Sequence, residues 1–145
     1  MIKILCVGKI KEEYLNLLIN DYLNRISKYH KIKITELKDN SIYEKEIDSI
    51  LKNIDPNDYN IALDIKGKML NSVEFAEKIE KTFTINSNIT FIIGGSLGLN
   101  EEILSMVNER ISFSLLTFPH GLFRGILLEQ IYRAFKISNN EAYHK

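Results

Sequence analysis

Residues able to do chemistry cluster at two turns in this chain of 145 residues. The first turn is Gly94-Gly95-Ser96-Leu97-Gly98, which stops the apolar run Ile89-Thr90-Phe91-Ile92-Ile93. The second is Pro119-His120, which stops the run Ile111-Ser112-Phe113-Ser114-Leu115-Leu116-Thr117-Phe118. A glycine turn after a strand lets a ligand come close to backbone amides, although glycine also serves any tight turn that needs positive φ. This turn is not a G-x-G-x-x-G fingerprint, and no Lys-Ser/Thr pair makes it a P-loop. Ser112 and Ser114 alternate with Phe113 and Leu115. No nucleophile elbow surrounds them, so they read as strand residues that offer backbone contacts. His30, His120 and His144 lack metal-ligand spacing, and one cysteine cannot build a structural zinc site, so no metal is expected. Arg124 and Arg133 interrupt the most apolar segment, Gly121 to Phe135. Arg133 has Glu129 four residues earlier, the spacing of a helical ion pair. Arg124 has only His120 and Leu128 at that spacing. It is therefore the candidate for an anionic ligand such as phosphate.

The elements that must hold these residues follow from hydrophobic spacing. Residues 2–7 read as a buried strand ending at Gly8, and 12–29 as an amphipathic helix. Residues 32–37 alternate as a half-wet strand, and 42–54 form a polar helix expected to be the least anchored part of the chain. Residues 59–64 form a third strand ending near Gly67. Asn71 and Glu74 make a capping box for a helix to about Phe83. Residues 89–93 are the fourth strand, and Asn100 caps a helix expected to end near Arg110. Residues 112–117 are read as the fifth strand. Pro119 suits the start of a helix that ends near Asn139. Strand–helix alternation throughout predicts one α/β domain over 1–145, three layers around a mainly parallel sheet of five or six strands. Ligands of such sheets bind outside the carboxyl ends of the strands. The last helix is apolar around most of its circumference, which predicts packing against a second copy of the chain.

Hydrophobic residues make up 45% of the chain and charged residues 26%, ordinary for a globular protein. The lone Cys6 lies in an apolar run and fits a reducing compartment as a buried thiol. No run is long enough to span a membrane and the N-terminus is not a signal peptide, so a cytoplasmic protein is expected. Net charge is zero, but residues 1–40 hold eight Lys/Arg against five Asp/Glu, and residues 109–145 hold five against three. Basic ends of this size lean only slightly toward a polyanionic partner.

Several segments together carry a specific resemblance. They are Ile92-Ile93-Gly94-Gly95-Ser96-Leu97-Gly98-Leu99, Ser112 through His120, Leu128 through Ile137 and the terminal Tyr143-His144-Lys145. Val7-Gly8-Lys9 and Leu63-Asp64-Ile65-Lys66-Gly67-Lys68 join them. Over its whole length the chain resembles the bacterial large-subunit rRNA pseudouridine N3-methyltransferases, a small branch of the SPOUT methyltransferases. The resemblance implies a C-terminal trefoil knot, which general topology rules would argue against. It implies S-adenosylmethionine held there by Leu63, Gly95 and the segment Ser114-Leu115-Leu116-Thr117-Phe118-Pro119. It also implies a homodimer and a substrate pseudouridine in the 23S rRNA of the assembled ribosome. Residues 38–58 are shorter than in relatives, as a surface deletion would make them.

A sulfonium methyl is already activated, so such an enzyme must align the methyl with the attacking nitrogen and exclude water. The proton on N3 must leave, to a base or to solvent. His144, Tyr143 and Arg124 are the candidate catalytic residues: His144 as that base or, with Tyr143, as a substrate contact across a dimer, and Arg124 as a contact to the RNA. Two other classes compete: a non-catalytic RNA-binding module, and a different nucleotide-binding α/β protein with phosphates at Gly94–Gly98. Titration with S-adenosylmethionine separates the three.

Overall fold

The computed structural model describes residues 1–145 as five strands and five helices in strict alternation. In chain order these are β1 (Ile2–Val7), α1 (Glu13–Ser27), β2 (Ile32–Leu37), α2 (Tyr43–Asn53), β3 (Tyr59–Met69), α3 (Ser72–Ile85), β4 (Ile89–Ile93), α4 (Glu101–Met106), β5 (Glu109–Ser112) and α5 (His120–Ser138). The strands form one sheet in the order β2-β1-β4-β3-β5, and every neighbouring pair is parallel. Cys6 stands beside Glu36 on one side and Ile93 on the other, and Leu63 stands beside Ile93. The carboxyl ends of β1, β2 and β4 are therefore level and their turns open at one edge of the sheet, with Leu63 of β3 beside them and the rest of β3 running on past that edge. Central β4 is buried at all five positions, which explains its unbroken apolar run.

Helices α1, α3 and α5 pack on one face of the sheet around Ile4, Ile61, Phe91, Leu127, Leu128 and Ile131. Helices α2 and α4 cover the other face around Ile47, Ile50, Ile92 and Ile103. Each such fully buried Leu or Ile contributes about 2 kcal/mol of apolar transfer. The expectation that α2 is loosely held is overturned. Ile47 and Ile50 pin it to the sheet, and Glu46 beside them is buried as well. Helix α5 lies between α1 and α3, which accounts for much of its apolar circumference inside one chain. A Cβ on Gly121 would stand 2.8 Å from Leu15 Cδ1, and one on Gly125 2.8 Å from Leu18 Cδ2, so these glycines set how closely α1 approaches.

Both predicted caps are present. Asn71 and Glu74 make the reciprocal capping box, and the Asn100 side chain accepts from the Ile103 amide. The fifth strand is displaced from its expected place: it runs over Glu109–Ser112, not 112–117, and α4 stops at Met106. Asn108 donates its amide to the Asn60 carbonyl (2.8 Å), and its side chain accepts from the Asn60 amide (2.7 Å), which docks the chain beside β3 early. Past Ser112 the serines end the ladder. Ser112 Oγ donates to the Ser114 carbonyl (3.1 Å), and the Leu116 amide donates to Ser114 Oγ (2.9 Å). Hydroxyl groups that bond local backbone in this way compete with strand pairing. Strand β3 runs on to Met69 through a bulge, with Ile111 opposite both Leu63 and Lys68. Gly67 sits at that bulge, where a Cβ would come within 2.7 Å of the Arg110 and Ile111 backbone.

Candidate functional site

A cavity of about 320 Å³ opens where β4 and β5 end, on either side of the middle of β3. Its floor is Leu63-Asp64-Ile65 from β3 and Ile93-Gly94-Gly95-Ser96 from β4; the loop after β5 and His120 and Phe123 of α5 close its other sides. The glycine turn folds on itself, with the Gly98 amide donating to the Gly95 carbonyl (3.0 Å) and Gly98 at φ +73°. Tyr43 of α2 donates to the Gly98 carbonyl at 3.1 Å and fixes the turn from behind. Gly94 and Gly95 do not have positive φ. Their lack of a side chain matters for space. A Cβ on Gly94 would stand 2.8 Å from the Gly98 carbonyl carbon, and one on Gly95 2.7 Å from both carboxylate oxygens of Glu46.

The cavity brings together Leu63, Gly95, Ser114, Leu116, Thr117 and Phe118. Leu115 and Pro119 belong to the same loop but do not line it, and Leu115 projects into solvent at 71% exposure. Sequence reasoning missed four residues here. Phe113 meets Phe123 edge-on at 5.4 Å, and Phe118 stacks on Phe123 at 6.2 Å and 11°, so aromatic faces make one wall. Asp64 lines the floor, and its buried Oδ2 receives no hydrogen bond; Arg110 approaches it only to 3.6 Å, an ion pair too long to be a hydrogen bond. Glu46 lies behind Gly95, buried, with its carboxyl raised above the usual carboxylate range by burial and by Asp39, against the opposing pull of His120. The signal for Asp64 was an acid at the end of a buried strand. Glu46 gave none, because it sits in a helix that reads as polar.

These features fit S-adenosylmethionine. Aromatic and aliphatic walls suit a purine, the unsatisfied Asp64 oxygen suits a hydroxyl or a cationic group, and the side-chain-free turn admits the ligand to backbone. The three residues expected to touch substrate do not line the cavity within one chain. Arg124 is not a free cation. It is 3% exposed; Nη1 bonds Glu36 Oε2 at 2.6 Å, and Nη2 bonds the carbonyls of Val7 (3.3 Å) and Gly8 (3.2 Å). The partner that no helix spacing could reveal comes from β2. The terminal segment is not free either, but docked on its own α5. Tyr143 donates to Glu129 (3.0 Å), packs edge-on against Tyr132 at 4.9 Å, and lies under the Arg133 guanidinium. The exposed His144 meets Arg133 through Nδ1 at 3.1 Å. Arg133 also pairs with Glu129, as their spacing predicts. No cluster of three or more His, Cys, Asp or Glu could hold a metal ion, and no helix is long and apolar enough to cross a membrane.

Known proteins share this architecture. Residues 1–144 match the family described as predicted SPOUT methyltransferases. The chain is 51% identical over 157 aligned positions to the ribosomal RNA large subunit methyltransferase H of Clostridium botulinum (strain Okra / Type B1), with 99% of both chains covered. It is 49% identical, at the same coverage, to the protein of that name from Clostridium novyi (strain NT). Among solved structures it is similar to a probable methylase family protein from Haemophilus influenzae Rd KW20. There the TM-score is 0.59 at 15% identity, covering 99% of this chain and 70% of that one. The return of the chain after edge strand β5 to the middle of β3 and the end of β4, before α5 begins, is consistent with the knot of such folds. With the match spanning all but one of its residues, the chain belongs to the SPOUT methyltransferase family.

Proposed function

We propose that the protein methylates N3 of a pseudouridine in large-subunit ribosomal RNA, using S-adenosylmethionine bound in the cavity at the ends of β4 and β5. The observation that carries this is the glycine turn after β4 set against the Ser114–Phe118 loop after β5, on either side of β3. The relatives named as large-subunit rRNA methyltransferases support the substrate class. Leu63, Gly95, Ser114, Leu116, Thr117 and Phe118 would hold the cofactor, with Asp64 beside them. When bound, the cofactor supplies an activated methyl, so the residues need only bind, orient and exclude water. Phe113, Phe118 and Phe123 do the last, since they present apolar faces on one side of the cavity.

The active species is proposed to be a homodimer. Tyr14 and Leu17 of α1, Leu122 of α5 and Leu115 and Leu116 of the loop are exposed, more apolar surface than one chain can cover. Tyr143 and His144, held on α5 away from their own cavity, would then contact RNA at the partner's.

The test is calorimetric titration with S-adenosylmethionine and its demethylated product, beside tritiated methyl transfer to ribosomes and mapping of the label. Micromolar cofactor binding with label on a large-subunit pseudouridine is expected. Absence of cofactor binding would instead fit a non-catalytic RNA-binding module, and label on another base would reject the substrate assignment.

A further inference from the structure

Asp64 is the only acid that lines the cavity, and no lysine or arginine joins it there. Its side chain is 18% exposed, and Oδ2 is buried without a hydrogen bond. Folding thus takes water from a charged oxygen and puts no donor in its place. A carboxylate kept for structure alone would ordinarily find one. Arg110 of neighbouring β5 does not fill the gap. Its Nη1 stands 3.6 Å from Oδ2, too far for a hydrogen bond, and its side chain is 43% exposed, so the pair contributes little.

The missing donor selects among the parts of the cofactor. A carboxylate can meet the ribose hydroxyls of S-adenosylmethionine, its sulfonium, or the ammonium of its amino-acid end. The sulfonium has no proton to donate, so it would leave Oδ2 without its hydrogen bond. It also loses its positive charge as the methyl departs. A carboxylate beside it would stabilise the bound cofactor more than the transition state and slow the transfer. A hydroxyl donates but carries no charge. An ammonium does both, and makes the stronger, charge-assisted bond. The aromatic faces of Phe113, Phe118 and Phe123 come from the loop after β5 and from α5, whereas Asp64 lies on the β3 floor. A purine against those faces leaves the floor to the amino-acid end.

We propose that Asp64 takes the α-ammonium group of S-adenosylmethionine and is the residue by which the site recognises the amino-acid end of its cofactor. The inference rests on the methyltransferase reading above and assigns one charge contact within it. The N–H groups of the ammonium supply the donors that the carboxylate lacks, and the two charges offset each other's desolvation. S-adenosylhomocysteine carries the same ammonium. Asp64 therefore holds cofactor and demethylated product alike, and takes no part in telling them apart.

The experiment titrates full-length wild type and Asp64→Asn, which keeps shape and removes the charge, by calorimetry. The ligands are S-adenosylmethionine, S-adenosylhomocysteine, the analogue of the latter with hydrogen in place of its amino group, and methylthioadenosine, which lacks the amino-acid end. The substitution should weaken S-adenosylmethionine and S-adenosylhomocysteine by equal factors, roughly 10–100-fold each. Affinities for the deaminated analogue and for methylthioadenosine should stay within about twofold of wild type. A loss confined to S-adenosylmethionine would place the carboxylate at the sulfonium. A loss that extends to methylthioadenosine would place it on the ribose, and no loss for any ligand would return it to the pair with Arg110; each overturns the proposal. Should Asp64→Asn not fold, wild type decides. It should bind the deaminated analogue at least about tenfold more weakly than S-adenosylhomocysteine, and equal affinities would overturn the proposal. If wild type binds neither S-adenosylmethionine nor S-adenosylhomocysteine, the methyltransferase reading has failed and this proposal falls with it.

Discussion

Replacing Arg124 with Ala should damage the fold, not RNA binding. The guanidinium is 3% exposed and holds Glu36 and the carbonyls of Val7 and Gly8 together. Truncation leaves those two carbonyls without their donor, at about 1–3 kcal/mol for each buried group that water cannot reach. Breaking a wholly buried ion pair costs about 3–5 kcal/mol. Glu36 is 39% exposed, so it rehydrates and that limit is not reached. About 3 kcal/mol is the net expectation, or roughly 6–12 °C in thermal midpoint for a chain of this size. Glu36→Gln should cost only about 1 kcal/mol, because a neutral acceptor remains. Thermal unfolding by circular dichroism at pH 7 measures both. The salt dependence of ribosome binding adds an independent check, since a lost phosphate contact flattens its slope by about one unit and a lost structural contact does not. An Arg124→Ala protein that melts within about 2 °C of wild type, with a flattened slope, would refute this account and restore the arginine to RNA.

Other perturbations separate the remaining roles. Gly95→Val should fold, because the carboxylate it meets ends a flexible side chain, yet lose at least about tenfold in S-adenosylmethionine affinity by calorimetry as the crowding against Glu46 shifts the cavity-lining turn. Gly67→Ala should destabilise by about 1–3 kcal/mol in denaturant titration, because its Cβ meets the β5 backbone, which cannot move aside. Burial raises the Cys6 thiol from its ordinary 9.0 to about 11, so native protein should resist thiol reagents at pH 8 and label only on unfolding. The same shift makes the folded state hold its proton more tightly, so stability should fall as pH rises from about 9 to 11, and Cys6→Ala should remove that fall. Leu17→Lys with Leu122→Asp should convert a dimer to a folded monomer in light scattering, whereas Leu127→Asp, at a fully buried position, should unfold the chain.

What the sequence disclosed and what it concealed divide along physical lines. Local rules placed the Asn71 capping box, the Asn100 cap, the start of α5 after Pro119 and the Glu129–Arg133 pair, because each depends on residues within four positions. The buried β4 announced itself by composition and the glycine turn by its place after that strand. Long-range partners were invisible. Arg124 finds Glu36 across 88 positions, and Asn60 finds Asn108 across 48, which moved the last strand forward. The serines that ended that strand were legible as serines but not as turn-makers, since their bonds depend on where the ladder with β3 stops. Leu63, Gly95 and the Ser114–Phe118 loop emerged from a resemblance, and the cavity gathers them because Leu63 stands beside both Ile93 of β4 and Ile111 of β5. Glu46 emerged only from its burial, and Asp64 only from an oxygen without a partner.

Two buried charged residues, Arg124 and Glu46, differ in how the fold holds them. Arg124 meets one carboxylate and two carbonyls, so its desolvation is offset and it serves the fold. Only its Nε lacks a partner. Glu46 has no hydrogen-bond or ion-pair partner, but its oxygens are not among the buried unpaired atoms, so water still reaches them. Its folded-state carboxyl is raised, so the native chain binds that proton more tightly than the unfolded chain does. The cost of ionising it therefore grows as pH rises above the ordinary glutamate range. A protein that held Glu46 for stability alone would gain from glutamine at neutral pH. The arginine that a charge argument would give to RNA is thus the one the fold needs.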